Sequence, residues 1–289
     1  YWPNAWAEYL LLAWPIVLIV FQNHNKQLAS GSWQKKLIAN CQLPLVLGFI
    51  VGCLLLSYSR GALIAFAGQL VLWLGLVWYR DRSWSLDRLK QVVIPVLSVA
   101  IVAVTIFAGL NLVRSSHFRV ESVEDKVTFT AAEGTSSVNE RKLFWQQALS
   151  LSLQKPLTGW GPYSFRFVQP RLQEHVLATS DHAHNVFLKL AMERGWVAAA
   201  LLFVIIVIVL LQSIRTMTMT MTRTDNRSLL LLLSVTGVLA HNLIDYNLQF
   251  VGIALPFWLL LGVLSVPLYQ PATPDRQRLH VQRGLEVII

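Results

Sequence analysis

Residues 41–80 read CQLPLVLGFIVGCLLLSYSRGALIAFAGQLVLWLGLVWYR. Two apolar runs, 41–58 and 61–79, meet with almost no loop, and the junction Ser57-Tyr58-Ser59-Arg60-Gly61-Ala62 sets an arginine between them. About 20 apolar residues cross a bilayer. Hydrocarbon offers backbone amides no partner, so each run must close its hydrogen bonds internally, as a helix. The alternation of a barrel strand is absent, and the runs are apolar all round rather than striped. Five more runs of this kind flank the pair, at 5–21, 92–112, 195–212, 228–244 and 248–268. The expected fold is an all-α polytopic membrane protein with about seven transmembrane helices.

Composition agrees. Of 289 residues, 55% are hydrophobic and 13% charged, about half the charged share of a soluble domain, ~25%. That excludes disorder, a coiled coil and an ordinary soluble enzyme. The net charge of +9 follows topology. Loops 22–40, 80–91 and 213–227 and the tail hold 13 of the 24 Lys and Arg, while the short turns between them, 58–61 and 245–249, hold Arg60 alone. The positive-inside rule makes the basic set cytoplasmic. The outward parts are nearly balanced, with 11 basic and 10 acidic residues, so no nucleic-acid surface is implied. The chain divides into four transmembrane helices over 1–112, a large outer loop over 113–194, three transmembrane helices over 195–268 and a cytoplasmic tail over 269–289. It begins Tyr1-Trp2-Pro3 and its first methionine is Met192, which reads as a piece of a longer protein. Cys41 and Cys53 share one apolar run; a helical rise of about 18 Å between them forbids a disulfide.

The outer segment is too long to be structureless. Ser137-Val138-Asn139-Glu140 fits a capping box that opens a helix over 139–154, and Pro156, Gly159, Gly161 and Pro162 end it. A second helix is expected over 170–177, and a third, capped by Asp181, through His184 and Leu188 to Gly195. Residues 113–136 read as a mobile loop, and the alternating Thr216–Thr222 tract as a connector.

Several polar residues lie where the membrane makes them expensive. Arg60 admits two readings: a phosphate-binding arginine, suited to bidentate contacts, or a side chain that snorkels to the headgroups. Arg141, Arg166 and Arg171 read as solvated helix-face charges unless they converge on one cavity. Asp181-His182-Ala183-His184-Asn185 is the densest polar cluster beside a membrane face. It fits a metal pair, a proton acceptor or a helix start with a structural histidine. Metal is disfavoured, since His at i and i+2 do not share a helix face and no His/Cys set completes a site nearby; no metal ligand is assigned. Asp245, in His241-Asn242-Leu243-Ile244-Asp245, must find a partner such as an arginine, or line an ion path; pairing is the simpler reading. Nucleotide-binding loops, the GxSxG elbow and HExxH are absent. An outer-face transferase without a nucleotide site needs a donor already activated and carried by the membrane, such as a lipid diphosphate.

These residues resemble the O-antigen ligase/O-antigen polymerase family. Ser57–Ala62 is similar to its SRG signature. Arg141 with Trp145, Pro156, Gly159, Gly161 and Phe165 resembles its R…W…P-x-x-G-x-G…F block. His184-Asn185 with Leu188, Glu193 and Gly195 resembles its HN-x-x-L…E-x-G block, and His241-Asn242 with Asp245 its last outer turn. Pro3-Asn4 with Ala7 and Tyr9-Leu10 resembles a further motif of some members. The resemblance covers nearly the whole chain. It implies a metal-independent, cofactor-free glycosyltransferase of GT-C type in the bacterial inner membrane. Such an enzyme moves a glycan from an undecaprenyl-diphosphate donor to a glycan or lipid acceptor at the periplasmic face. By that resemblance Arg60 and Arg141 hold the diphosphate and His184 is the general base, with His182 the rival for that role. Arg166, Arg171, His182, Asn185 and Asp245 are the substrate-binding candidates. The related cyanobacterial branch, labelled as bicarbonate transporters, supplies the alternative of an anion path through Arg60 and Asp245.

Overall fold

In the computed structural model, residues 2–28, 33–80, 86–117, 132–172, 180–220 and 227–266 are described. All regular structure among them is helical: α1 (Pro3–Leu28), α2 (Trp33–Leu56), α3 (Arg60–Arg80), α4 (Leu86–His117), α5 (Ala132–Gln154), α6 (Phe165–Val168), a 3₁₀ turn (Gln169–Leu172), α7 (Val186–Arg194), α8 (Trp196–Thr220), α9 (Arg227–Asn242) and α10 (Val251–Ser265). Each of the seven apolar runs falls on a helix. Among the described residues, three segments are long and apolar enough to cross a membrane: Pro3–Gln22, Val93–Arg114 and Trp196–Arg215. Cys41–Leu56, Arg60–Leu76 and Val251–Ser265 are apolar but shorter. Much of α4 and α8 is bare of protein contacts: Ile94, Ile101, Val104, Leu201 and Phe203 are all exposed. A soluble monomer rarely shows apolar patches of that extent; lipid covers them in a membrane protein.

The helices meet through small residues and buried polar clamps. Gly48 and Gly52, one turn apart on α2, let α4 approach so closely that a Cβ would lie 2.5 Å from Val102 and 3.0 Å from Ile106, the small-xxx-small device of membrane helices. Gln69 of α3 ties three helices. Its amide donates to the carbonyls of Leu11 on α1 (3.1 Å) and Leu233 on α9 (2.6 Å), and its oxygen accepts from the Trp14 indole (2.9 Å). A Cβ at Gly237 would strike that amide at 2.1 Å. Such bonds gain value where no water competes for them.

The unit between α4 and α8 is built on α5. Phe144, Ala148 and Leu151 recur at helical spacing and bury against Phe165, Ala183 and Met192. Its local limits differ from the sequence expectation. The helix starts at Ala132, so Ser137-Val138-Asn139-Glu140 lies inside it rather than capping it. The residues expected to form a helix over 170–177 make a 3₁₀ turn that ends at Leu172, and 173–179 fall outside the described residues. The helix α7 is capped by Asn185, not Asp181: the Asn185 Oδ1 accepts the N–H groups of Phe187 and Leu188, both at 3.0 Å. His184 therefore precedes that helix. The Thr216–Thr222 tract is helical as far as Thr220. The expected mobile loop lies largely outside the described residues, and the tail, 269–289, entirely so.

The glycines that flank α7 in space form a backbone joint. Gly159, Gly161 and Gly195 have φ of 65°, 99° and 89°, values glycine adopts freely. The N–H of Trp160 donates to Met192 O (2.9 Å), that of Gly161 to Glu193 O (3.0 Å) and that of Trp196 to Pro156 O (2.7 Å). A Cβ at Gly195 would meet the Leu157 carbonyl oxygen at 2.2 Å, and one at Gly159 the Glu193 backbone at 2.4 Å. The P-x-x-G-x-G and E-x-G blocks are thus two halves of one joint, which fixes α7 over the start of α8.

Candidate active site

The turn after α9 is where the distant motifs meet. Asp245 accepts from the N–H of Tyr246 (2.8 Å) and the amide of Asn4 (2.6 Å), and lies 2.8 Å from His184 Nδ1. The Arg141 guanidinium is 4.0 Å from its other oxygen. Arg141 sits on the α5 face that also carries Phe144 and Trp145. The Phe144 ring stacks on the His184 imidazole, with centroids 5.9 Å apart and 20° between planes. The Trp145 indole donates to the His184 carbonyl at 3.1 Å. These contacts hold His184 at φ 48°, a left-handed conformation uncommon outside glycine, although His is among the types that adopt it more readily; such residues cluster at functional sites.

Carboxylate contact fixes the tautomer. Asp245 accepts the Nδ1 proton, so the neutral imidazole carries its lone pair on Nε2. Ser180 Oγ is 3.3 Å from that nitrogen, but its hydroxyl donates to the His182 carbonyl at 2.8 Å, which leaves Nε2 open to another proton. Burial raises the Asp245 pKa. The His184 hydrogen bond and charge, the Tyr246 N–H and the His241 charge more than offset this and hold the carboxyl well below the usual range. Asp245 stays ionised and stabilises an imidazolium formed at His184. The His182 pKa is also lowered, which for an imidazole favours the uncharged form. Burial and the nearby His184 charge lower its pKa to about 4, so it is neutral at physiological pH.

The geometric objection to a metal pair does not hold, because His182 and His184 lie in a non-helical loop with ring centroids 4.8 Å apart. Ligand atoms of His182, His184 and Asp245 come within 4.8 Å of one another. Donors around a tetrahedral ion at ~2.1 Å are about 3.4 Å apart, so to bind one the 2.8 Å His184–Asp245 pair must part and the widest pair must close in. The hydrogen-bonded dyad fits the positions as they stand.

The Arg60 junction reaches the same turn from the other side. Ser59 caps α3, its Oγ accepting the Ala62 N–H at 3.4 Å, and lies 3.4 Å from His241 Nε2. A Cβ at Gly61 would meet Ile244 Cδ1 at 2.4 Å and His241 at 3.3 Å. The residues on either side of the half-buried Arg60 thus pack against His241, whose carbonyl accepts the Asp245 N–H at 2.9 Å. His241 donates from Nδ1 to Glu8 Oε2 at 2.7 Å, and Glu8 also accepts from the Asn242 and Asn247 amides.

The structure therefore gathers Arg141, His182, His184 and Asp245, and sets Arg60 against the same turn. Asn185 uses its Oδ1 as the α7 cap and donates from Nδ2 to the Leu243 carbonyl at 2.8 Å, clasping the turn from below His184. Arg166 and Arg171 stand at the exposed edge, Arg166 3.7 Å from Asp181 and Arg171 on the 3₁₀ turn. Sequence reasoning gave no role to Asn4, Glu8 or Ser180. Glu8 had a signal, a lone carboxylate within an apolar run; Ser180 had none.

A family model described as O-Antigen ligase matches residues 45–203, more than half of the chain. A general O-oligosaccharyltransferase of Acinetobacter baylyi is 29% identical over 260 residues. That match covers 82% of this chain and 43% of the relative, so the chain spans less than half of that protein's length. No solved structure matches.

Proposed function

Because the chain belongs to the O-antigen ligase family, we propose that it carries the catalytic part of a membrane glycosyltransferase. This enzyme moves a glycan from undecaprenyl diphosphate to a glycan or lipid hydroxyl at the periplasmic face of the bacterial inner membrane. The observation that carries this reading is the 2.8 Å His184–Asp245 contact beside Arg141. Asp245 orients the imidazole; His184 Nε2 takes the proton of the acceptor hydroxyl as the oxygen attacks the anomeric carbon. The bond to the diphosphate breaks on the opposite face, giving inversion. Arg60 and Arg141 bind the departing diphosphate and stabilise its developing charge, and Arg166 and Arg171 meet the glycan at the outer edge. His184 rather than His182 is the base, because only His184 has a carboxylate on one ring nitrogen to stabilise the cation it becomes. The seven helices cross the membrane in a GT-C-like arrangement, the outer unit 113–194 covers the site, and the tail is cytoplasmic. No metal or cofactor takes part, so transfer persists in excess chelator.

The reading is tested by glycan transfer and polymer length in cells that carry the full-length protein. His184→Ala and Arg60→Ala each lose transfer at equal expression; normal product from both rejects the mechanism.

A further inference from the structure

Past Tyr246 lies a cavity of about 290 Å³ whose wall changes character from one side to the other. Tyr163, Lys189, Glu193 and Tyr246 make the polar side, and Leu202, Leu239 and Trp258, from α8, α9 and α10, are among the apolar residues opposite. Lys189 and Glu193 are one turn apart on α7, almost wholly buried, and form an ion pair. The Lys189 ammonium lies 5.0 Å from the Tyr163 ring centroid and 4.9 Å from that of Tyr246. A buried ion pair adds little net stability, since desolvation offsets the attraction. It does present fixed hydrogen-bonding groups: an ammonium has three donors and a carboxylate two acceptor oxygens, and their mutual bond uses one of each. Burial, then the Glu193 and Tyr163 charges, raise the Tyr246 pKa, so its phenol stays neutral and can both donate and accept.

Charge selects the ligand class. Glu193 cancels Lys189, and among the lining residues only the exposed Arg194 adds charge, so this wall is unsuited to a diphosphate. Two phenol rings with paired donors and acceptors suit a neutral, hydroxyl-rich sugar, and the apolar wall suits an alkyl or acyl chain. Position supplies the rest. The Tyr246 ring is 5.6 Å from that of His182, and Tyr246 donates its N–H to Asp245. We infer that this cavity is the acceptor subsite, holding the neutral sugar of a lipid-bearing acceptor beside His184 while its chain lies against α8, α9 and α10. The inference rests on His184 being the base for the acceptor hydroxyl.

The test needs no turnover, so its failure is separate from failure of the transfer mechanism. The full-length protein in nanodiscs is photolabelled with an alkyl glucoside that carries a diazirine in its chain. Labels are expected on α8 and α9 near Leu202 and Leu239. Dodecyl maltoside competes, whereas dodecylphosphocholine and farnesyl diphosphate do not. Tyr163 is exposed and has φ 56°, so Tyr163→Gly removes its ring while relieving the backbone. That variant and Glu193→Gln each weaken labelling about tenfold, the loss of roughly one polar contact. Leu239→Trp, which fills the cavity and leaves the ion pair intact, abolishes it. If Glu193→Gln does not fold, the other two variants carry the test. Labelling that ignores the head group, that farnesyl diphosphate displaces, or that survives both Tyr163→Gly and Leu239→Trp overturns the inference.

Discussion

Two histidine–carboxylate pairs stand one helical turn apart with nearly the same geometry. His184 Nδ1 meets Asp245 at 2.8 Å with Ser180 Oγ 3.3 Å from Nε2; His241 Nδ1 meets Glu8 at 2.7 Å with Ser59 Oγ 3.4 Å from Nε2. Access separates them. The His184 side chain is 24% exposed, against 1% for His241 and 0% for Glu8. A base must reach a hydroxyl it does not own, and only the outer pair can. The inner pair has spent its groups on protein: Glu8 accepts from three side chains, and His241 sets the Ser59 turn from which Arg60 projects. Bond lengths alone do not make a catalytic dyad; exposure and unspent hydrogen-bonding capacity do.

The contrast predicts opposite phenotypes. The largest effect falls on His184→Asn. Asparagine tolerates the left-handed backbone, and Asp245 keeps the Asn4 amide and the Tyr246 N–H. The protein therefore folds and its melting point falls by less than that of Glu8→Ala, while glycan transfer drops about 10²- to 10⁴-fold with loss of the general base. A melting temperature that falls as far as that of Glu8→Ala would put His184 with the structural pair. Next is Glu8→Ala, which strands buried donors on His241, Asn242 and Asn247. Each costs about 1–3 kcal/mol, so thermal unfolding in detergent moves down strongly, while any protein that does fold keeps part of its transfer activity. Glu8→Gln retains an acceptor and lies between. Full stability in Glu8→Ala would mean that the inner pair does not hold the turn. Smaller again is Gly61→Ala. Its new methyl presses on the flexible end of Ile244, and alanine's helix preference, up to ~1 kcal/mol, offsets the crowding, so a shift of only a few degrees is expected. The smallest effect is on pH. Burial, then the His184 charge, push the His182 pKa from 6.5 down to about 4. The folded state thus binds fewer protons between those values. The stability gained by keeping His182 neutral is complete above 6.5 and is lost as pH falls toward 4. Imidazole NMR of the His182 ring should show no protonation above about pH 5, and activity between pH 5 and 8 should be unchanged in His182→Asn.

Much of this was legible in the chain. The seven apolar runs each lie on a helix, because a spanning or buried helix announces itself by composition over 15 to 20 consecutive residues. The Arg60 junction was legible as a charge where charges are costly. Helix limits between α4 and α8 were not. Asp181 and Asn185 are both good caps by type, and Asn185 takes the role because its amide also reaches Leu243 on the neighbouring turn. Spacing alone sets His182 and His184 on different faces of a helix, but these residues lie in a non-helical loop. The glycines at 159, 161 and 195 were visible as breakers, but not as partners in one joint across α7.

The sequence by itself determined that the chain is helical and apolar, where its helices run, and which few polar residues had to be accounted for, since all of these depend on neighbours within a turn or two. Tertiary structure alone decided which carboxylate meets which imidazole. Asp245 lies 61 residues from His184, and Glu8 lies 233 from His241. Such pairings follow from the close backbone approaches at Gly159 and Gly195 and from the clamps between helices, where shape and the demand that every buried polar group find a partner select one arrangement.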